Sequence, residues 1–197
     1  MTSKITAVTR GRAVIAAAVA AVVLAAGGTW YALNASGHLL WEGPLMGAHD
    51  EIVKTQLEAD DTRVLWGSLL LHNDTAHSMV LESVEIADNP GGIALATEPY
   101  LWDTDRVALL GTGAVAVHPM PLPSDWKIPP KHAVAGFVIS PHAESESVEV
   151  LFELQAPPRA ATVSGITVTY RTAGWTYRNT YNIQLTICPS TDLKPCA

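Results

Sequence analysis

His118, Met120 and His132 flank a proline-rich stretch. Brought together, they would offer two imidazoles and a thioether, a donor set suited to Cu(I) or Cu(II). The other histidines are His38, His49, His72, His77 and His142. No two of the seven stand at HxH, HxxH or HxxxH spacing, so no single strand or helix aims a pair at one ion. The spacing therefore favours surface and turn histidines. A copper site stands as an alternative function only, and no metal ligand or other cofactor is assigned.

Cys188 and Cys196 bracket the short loop CPSTDLKPC near the C-terminal end of the sequence. Outside the cytoplasm, such a pair is expected to form a disulfide rather than a metal site. Its effect would be local, because closing a short loop removes little entropy from the unfolded chain. The same pairing leaves no cysteine to act as a nucleophile.

Other catalytic signatures are missing from the sequence. Gly111-Thr112-Gly113 lacks the third glycine, the lysine and the helix of a phosphate-binding loop. There is no Gly-x-Ser-x-Gly elbow. No catalytic residue is assigned and the expectation is a protein that is not an enzyme. A hydrolase whose site assembles only in the fold is a second alternative.

Tryptophan supplies the remaining chemistry. Trp66 lies within an apolar run and is expected in the core, whereas Trp102, Trp126 and Trp175 fall in predicted loops or turns. Trp102 and Trp126 stand near Asp103, Asp105 and Asp125, an association that could make a sugar or peptide platform. Capping the end of a core is the commoner role for such rings.

Whatever positions these side chains lies beyond an apolar run. Ala13–Leu33, AVIAAAVAAVVLAAGGTWYAL, has 21 residues and no charge. As a helix it would span about 31 Å, close to the ~30 Å hydrocarbon core of a bilayer. Trp30 and Tyr31 suit the headgroup level at its far end, and Lys4, Arg10 and Arg12 place the N-terminus in the cytoplasm. A secretory signal cleaved after Ala35 has the same charge order, although its apolar region is usually shorter. Either way the rest of the chain is extracytoplasmic. All 19 acidic residues and nine of the 12 basic ones lie in that rest, a balance of 9 − 19 = −10 that repels phosphate and makes nucleic acid a poor partner.

The outer part reads as strands. Ile166, Val168 and Tyr170 alternate with Thr167 and Thr169; Tyr177, Tyr181, Ile183, Leu185 and Ile187 alternate with Arg178, Thr180, Asn182, Gln184 and Thr186. This period of two marks half-buried strands. Val148, Val150, Phe152 and Leu154 repeat it against Glu149, Glu153 and Gln155, with Leu151 the one apolar residue out of phase. Val64–His72 reads as a largely buried strand, Met79–Ala87 as its return, and Ile93–Thr97, Arg106–Leu110, Ala114–His118 and His132–Ser140 as further strands. Pro119–Pro130 is a loop, and Gly47–Asp61 allows a short helix or a linker. About eight short strands with turn signals between them favour an antiparallel, immunoglobulin-like β-sandwich, with a barrel as the second architecture.

The short basic tail, the Ala/Val-rich run, strands such as LLLHNDTAHSMVLESVEI and the last strand ending at Cys188 resemble the uncharacterised single-pass, extracytoplasmic proteins of high-GC actinobacteria. The resemblance covers most of the chain. It implies a topology and a broad fold, and it carries over no functional residue.

The expected organisation is a cytoplasmic tail over 1–12, a transmembrane helix over 13–33, a linker, first strand or short helix over 34–62, and an all-β extracytoplasmic domain over 63–197. The expected role is a membrane-tethered binding or structural module, with the membrane and a protein at the cell surface as its partners. Carbonate extraction of cells should leave the chain in the membrane pellet with its N-terminus intact; a mature start at Ser36 would show a secreted protein instead.

Overall fold

The computed structural model describes residues 28–29, 41–47, 50–103, 109–110, 115–141, 147–192 and 196. Of the expected transmembrane helix only Gly28 and Thr29 are included, and both are helical. Among the described residues no helix is long and apolar enough to cross a membrane. The chain divides into two units, Met1–Leu40 and Trp41–Ala197, and the strands all belong to the second.

That unit is all-β. Its strands are β1 (Met46–Gly47), β2 (Glu51–Gln56), β3 (Arg63–His72), β4 (Met79–Asp88), β5 (Tyr100–Trp102), β6 (Ala116–Met120), β7 (His132–Ala133), β8 (Val138–Ile139), β9 (Val148–Gln155), β10 (Ala161–Thr172) and β11 (Trp175–Cys188). One sheet runs β1-β3-β9-β5-β7, with β6 also paired to β3; the other runs β2-β11-β10-β4-β8. The two sheets face each other across one core, in which Trp66, Val150 and Phe152 of the first meet Leu81, Val168, Tyr170, Ile183 and Leu185 of the second.

The hairpin β10–β11 follows the alternation of its sequence. Ile166, Val168 and Tyr170 point inward with Tyr181, Ile183, Leu185 and Ile187. Its turn is Ala173–Gly174, with φ of 49° and 82°. Two successive positive φ values give the two-residue turn whose twist matches that of the strands it joins, and glycine takes the second at no steric cost.

Several expectations are corrected. Gly47–Asp61, read as a short helix or a linker, carries the strand β2, which pairs parallel with β11 from Ile183↔Glu51 to Cys188↔Gln56. The sheet is therefore not purely antiparallel. Ile52 and Val53 are neighbours and cannot both face the core of a strand, and Ile52 is left 70% exposed. His132–Ser140 is not one strand: β7 pairs with β5 in the first sheet and β8 with β4 in the second. Between them Gly136 N–H donates to the Leu81 carbonyl, and Leu81 N–H to that of Phe137, so the chain turns and changes layer. Of Arg106–Leu110, the two described residues, Leu109 and Leu110, are helical. Ile93–Thr97 contributes only the isolated bridge Leu95↔Leu154. The expected disulfide is present, Cys188 to Cys196 with Cα atoms 6.1 Å apart, and it fastens the tail beside the β2 edge, where Cys196 Sγ lies 3.4 Å from the Thr55 carbonyl oxygen.

One polar residue interrupts the inward series of β11. Asn179 is buried, its Oδ1 accepts the Gly43 N–H at 2.7 Å, and its Nδ2 donates to the carbonyls of Gly43 and Leu45, each at 3.0 Å. Tyr181 OH donates to the Leu45 carbonyl at 2.9 Å, and Tyr170 OH accepts the Leu45 N–H, also at 2.9 Å. A backbone segment with no strand partner of its own on this side is thus satisfied by side chains, as burial requires. Burial raises the Tyr170 phenol to about 12, so it stays protonated throughout the physiological range. Asn179→Ala leaves one buried and two part-buried backbone groups without that partner and should cost about 1–3 kcal/mol in urea unfolding. It should also speed amide exchange at Gly43 specifically, while the Leu45 amide, held by Tyr170 OH, keeps its protection.

Candidate functional site

β9 is central in the first sheet, between β3 and β5. Its odd face, in the sense of Glu149, Leu151 and Glu153, points away from the main core, and its sequence pattern reads as solvent-facing. It is buried instead: Glu149 is 0% and Glu153 is 3% exposed. A second apolar cluster covers this face, with Leu65, Tyr100, Trp102, Val115 and Leu151 at its centre and Leu110, Met120, Leu122 and Trp126 packed on it. Leu151, out of phase in the sequence, is the residue that seats this cluster on β9.

Each buried carboxylate has defined partners. Glu149 Oε1 accepts the Val115 N–H at 2.7 Å. A Cβ on Gly67 would lie 2.5 Å from that same oxygen, so β3 must carry glycine where the carboxylate crosses it. Glu153 Oε1 accepts from Lys131 Nζ at 2.6 Å and from Tyr100 OH at 3.2 Å, while Oε2 faces Arg63 Nη1 at 3.3 Å. Lys131 Nζ also lies 4.0 Å from the centre of the Tyr100 ring, a cation–π contact. Burial pushes the Glu153 carboxyl up, but the hydrogen bond and charge of Lys131, with Tyr100 and Arg63, outweigh it and hold the group below the usual glutamate range. Burial pushes the Tyr100 phenol far up, and the charge of Glu153 pushes it further.

Beside this cluster opens a cleft of about 370 Å³. Tyr100, Trp102, Lys131 and Glu153 line it from the sheet side, and Met120, Leu122, Pro123, Ser124, Trp126 and Ile128 from the strap that links β6 to β7. Prolines at 121, 123, 129 and 130 restrict the backbone of that strap. A shallower hollow of about 310 Å³, lined by Thr97, Glu98 and His132 among others, shares Tyr100 and Lys131 with it.

The fold brings Trp102 and Trp126 into one cleft, Trp126 from the strap as expected, but Trp102 from strand β5, paired with Glu149 of β9, rather than from a loop. Trp102 is wholly buried and serves as wall rather than platform. Its Nε1–H has no hydrogen-bond partner among the described residues. Asp125 is exposed in a turn of the strap, Asp103 Oδ2 lies 3.1 Å from His132 Nε2, and Asp105 lies outside the described residues. Trp175 opens β11, away from the cleft.

His118, Met120 and His132 are not assembled as a donor set. His118 and Met120 are on β6, at the β3 edge, and His132 is on β7, at the other edge, with β3, β9 and β5 between. Four strand spacings come to about 19 Å along the sheet. The His118 ring makes an edge contact with Trp126 at 4.9 Å, the His132 ring packs against Phe137 at 5.6 Å, and Met120 lines the cleft. Among the described residues no three of His, Cys, Asp and Glu are grouped to hold a metal ion.

No protein-family model and no curated protein matches the chain. Among solved structures it is similar to that of the Vibrio cholerae VesB protease, at 14% identity and a TM-score of 0.32, over 79% of this chain and 33% of that one. The chain thus spans about a third of that protease's length.

Because the folded-state value of Glu153 is depressed, its contribution to stability is full above the ordinary glutamate range and fades as the pH falls through the lower folded value. Glu153→Gln should cost about 2 kcal/mol in urea unfolding at pH 7, below the 3–5 kcal/mol of a fully buried pair because Arg63 and Lys131 reach water. The difference from wild type should shrink as the pH is lowered below about 4. A pH-independent difference would mean that the carboxylate's charge is not what the site uses.

Proposed function

We propose that this protein is a membrane-tethered, extracytoplasmic binding module: an immunoglobulin-like sandwich that holds a small ligand in the cleft between β5, β9 and the strap. The observation that carries this reading is the cleft itself. A space of about 370 Å³ is walled by three aromatic rings and a few aliphatic side chains, with polar groups converging on one side. Small-molecule sites have this size and this composition. The tether is supported by the uncharged 21-residue run Ala13–Leu33 behind a basic tail, and the extracytoplasmic side by that charge order and by the disulfide.

Binding suits the site better than catalysis does. Glu153 is the carboxylate that lines the cleft, and its three partners stabilise the ionised form. A carboxylate held below its usual range is a weak base.

The test is a saturation-transfer NMR fragment screen on the full chain held in nanodiscs. Fragments of some class should give signals that Ser124→Trp and Leu122→Trp, which put bulk into the cleft, abolish. Glu85→Gln on the far sheet should leave them intact. If no fragment binds, or if binding survives both filled variants, the cleft is not a ligand site.

A further inference from the structure

We infer that the cleft takes a small anion with an apolar body, an aryl or short acyl carboxylate; this rests on the binding reading above and names its ligand class. Hydrogen-bonding groups are unevenly supplied around the cleft. The Lys131 ammonium carries three N–H donors, of which one goes to Glu153, and the side chain is 50% exposed. Trp102 Nε1–H is a donor only, is wholly buried, and has no partner among the described residues. Tyr100 already donates its hydroxyl to Glu153. The Glu153 oxygens, in contrast, accept from Lys131, Tyr100 and Arg63. The lining is thus left with donors to spare, and a ligand complements it with acceptor oxygens.

The two charged side chains of the lining are not equally available: the Glu153 oxygens are taken up by Lys131, Tyr100 and Arg63, whereas the half-exposed Lys131 ammonium keeps bonding capacity toward the cleft. Glu149, on the same face of β9, gives an oxygen to Val115, and like Arg63 it does not line the cleft. A ligand carboxylate would pair with that ammonium in a partly desolvated setting, where such a pair is worth more than on an open surface. The walls select the rest of the ligand. Leu122, Trp126 and Ile128 present apolar surface to it, and about 370 Å³ holds a body the size of a substituted benzene ring.

Three probes with one body and three head groups decide the matter: 3-phenylpropionate, 3-phenylpropanol and 3-phenylpropylamine, titrated into the full chain in nanodiscs of zwitterionic lipid. The propionate should bind at least ten-fold more tightly than the alcohol, and the amine most weakly. The indole N–H cross-peak of Trp102 should move with the acid. Lys131→Met should bring the acid to within about two-fold of the alcohol without changing the alcohol, and Lys131→Arg should keep most of the preference. Equal binding of all three, or preference for the amine or the alcohol, would overturn the ligand class and leave the binding reading standing. If none of the three binds while the fragment screen finds occupants of the cleft, the class is again wrong. If the screen too is empty, the binding reading falls with it. The ranking of head groups on the wild-type chain needs no variant, so a folding defect in Lys131→Met cannot mask the result.

Discussion

The buried carboxylate of Glu153 is the constraint around which one side of this protein is organised. It stands at the centre of a sheet, on the face opposite the main core, and it is 3% exposed. A charge so placed needs partners from every direction, and it draws them from separate parts of the chain: Arg63 from β3, Tyr100 from β5, and Lys131 from the end of the strap. Those three contacts tie neighbouring strands together and fix where the strap must land. The strap then carries Leu122 and Trp126 onto the second apolar cluster. Remove the carboxylate, and Lys131 loses the charge that, with the Tyr100 ring, sets its position over the cleft.

The main core follows simpler rules. Strands β10 and β11 alternate over Ile166–Tyr170 and Tyr181–Ile187, beyond an irregularity between Ser164 and Ile166, and their inward residues meet Trp66, Val150 and Phe152 of the other sheet. Asn179 is the exception, and its reason is local. It occupies an inward position because the segment Gly43–Leu45 passes close by with backbone groups to satisfy, and an amide with both donor and acceptor can serve them. Tyr170 and Tyr181 complete the arrangement from the same sheet. Polar side chains thus appear inside this domain where backbone without a regular partner comes near.

Much of this was legible in the residues, and the failures have physical causes. The long hairpin, the buried strand around Trp66, the turn at Ala173–Gly174 and the disulfide could each be read from period, β-branching and turn chemistry. β2 could not, because its apolar residues are adjacent and its pairing is decided by the free edge of β11, far away in sequence. The layer change between β7 and β8 was hidden because His132–Ser140 alternates well enough for one strand; the hydrogen bonds of Gly136 and Phe137 with Leu81 break it. Glu149 and Glu153 looked solvent-facing, since alternation reports two faces but not whether both are covered. The signal that they are covered was present in one residue: Leu151, apolar on the face that should have been polar.

That signal also explains why the site lies where it does. A sheet covered on both faces has its second face available for something other than the main core, and here the cover is incomplete. The strap closes over Trp102 and Leu65, which are wholly buried, but leaves the region beside Lys131 open. Filling the same volume with aliphatic side chains would stabilise the fold at least as well, because buried ion pairs rarely repay their desolvation. What an apolar filling could not supply is a cation held at a fixed distance from an aromatic ring at the mouth of an apolar cleft. The carboxylate beneath it gives the ammonium its place, the ring gives it a second contact, and the prolines of the strap limit how far the opposite wall can move. Position, rather than stability, is what this arrangement of charges provides.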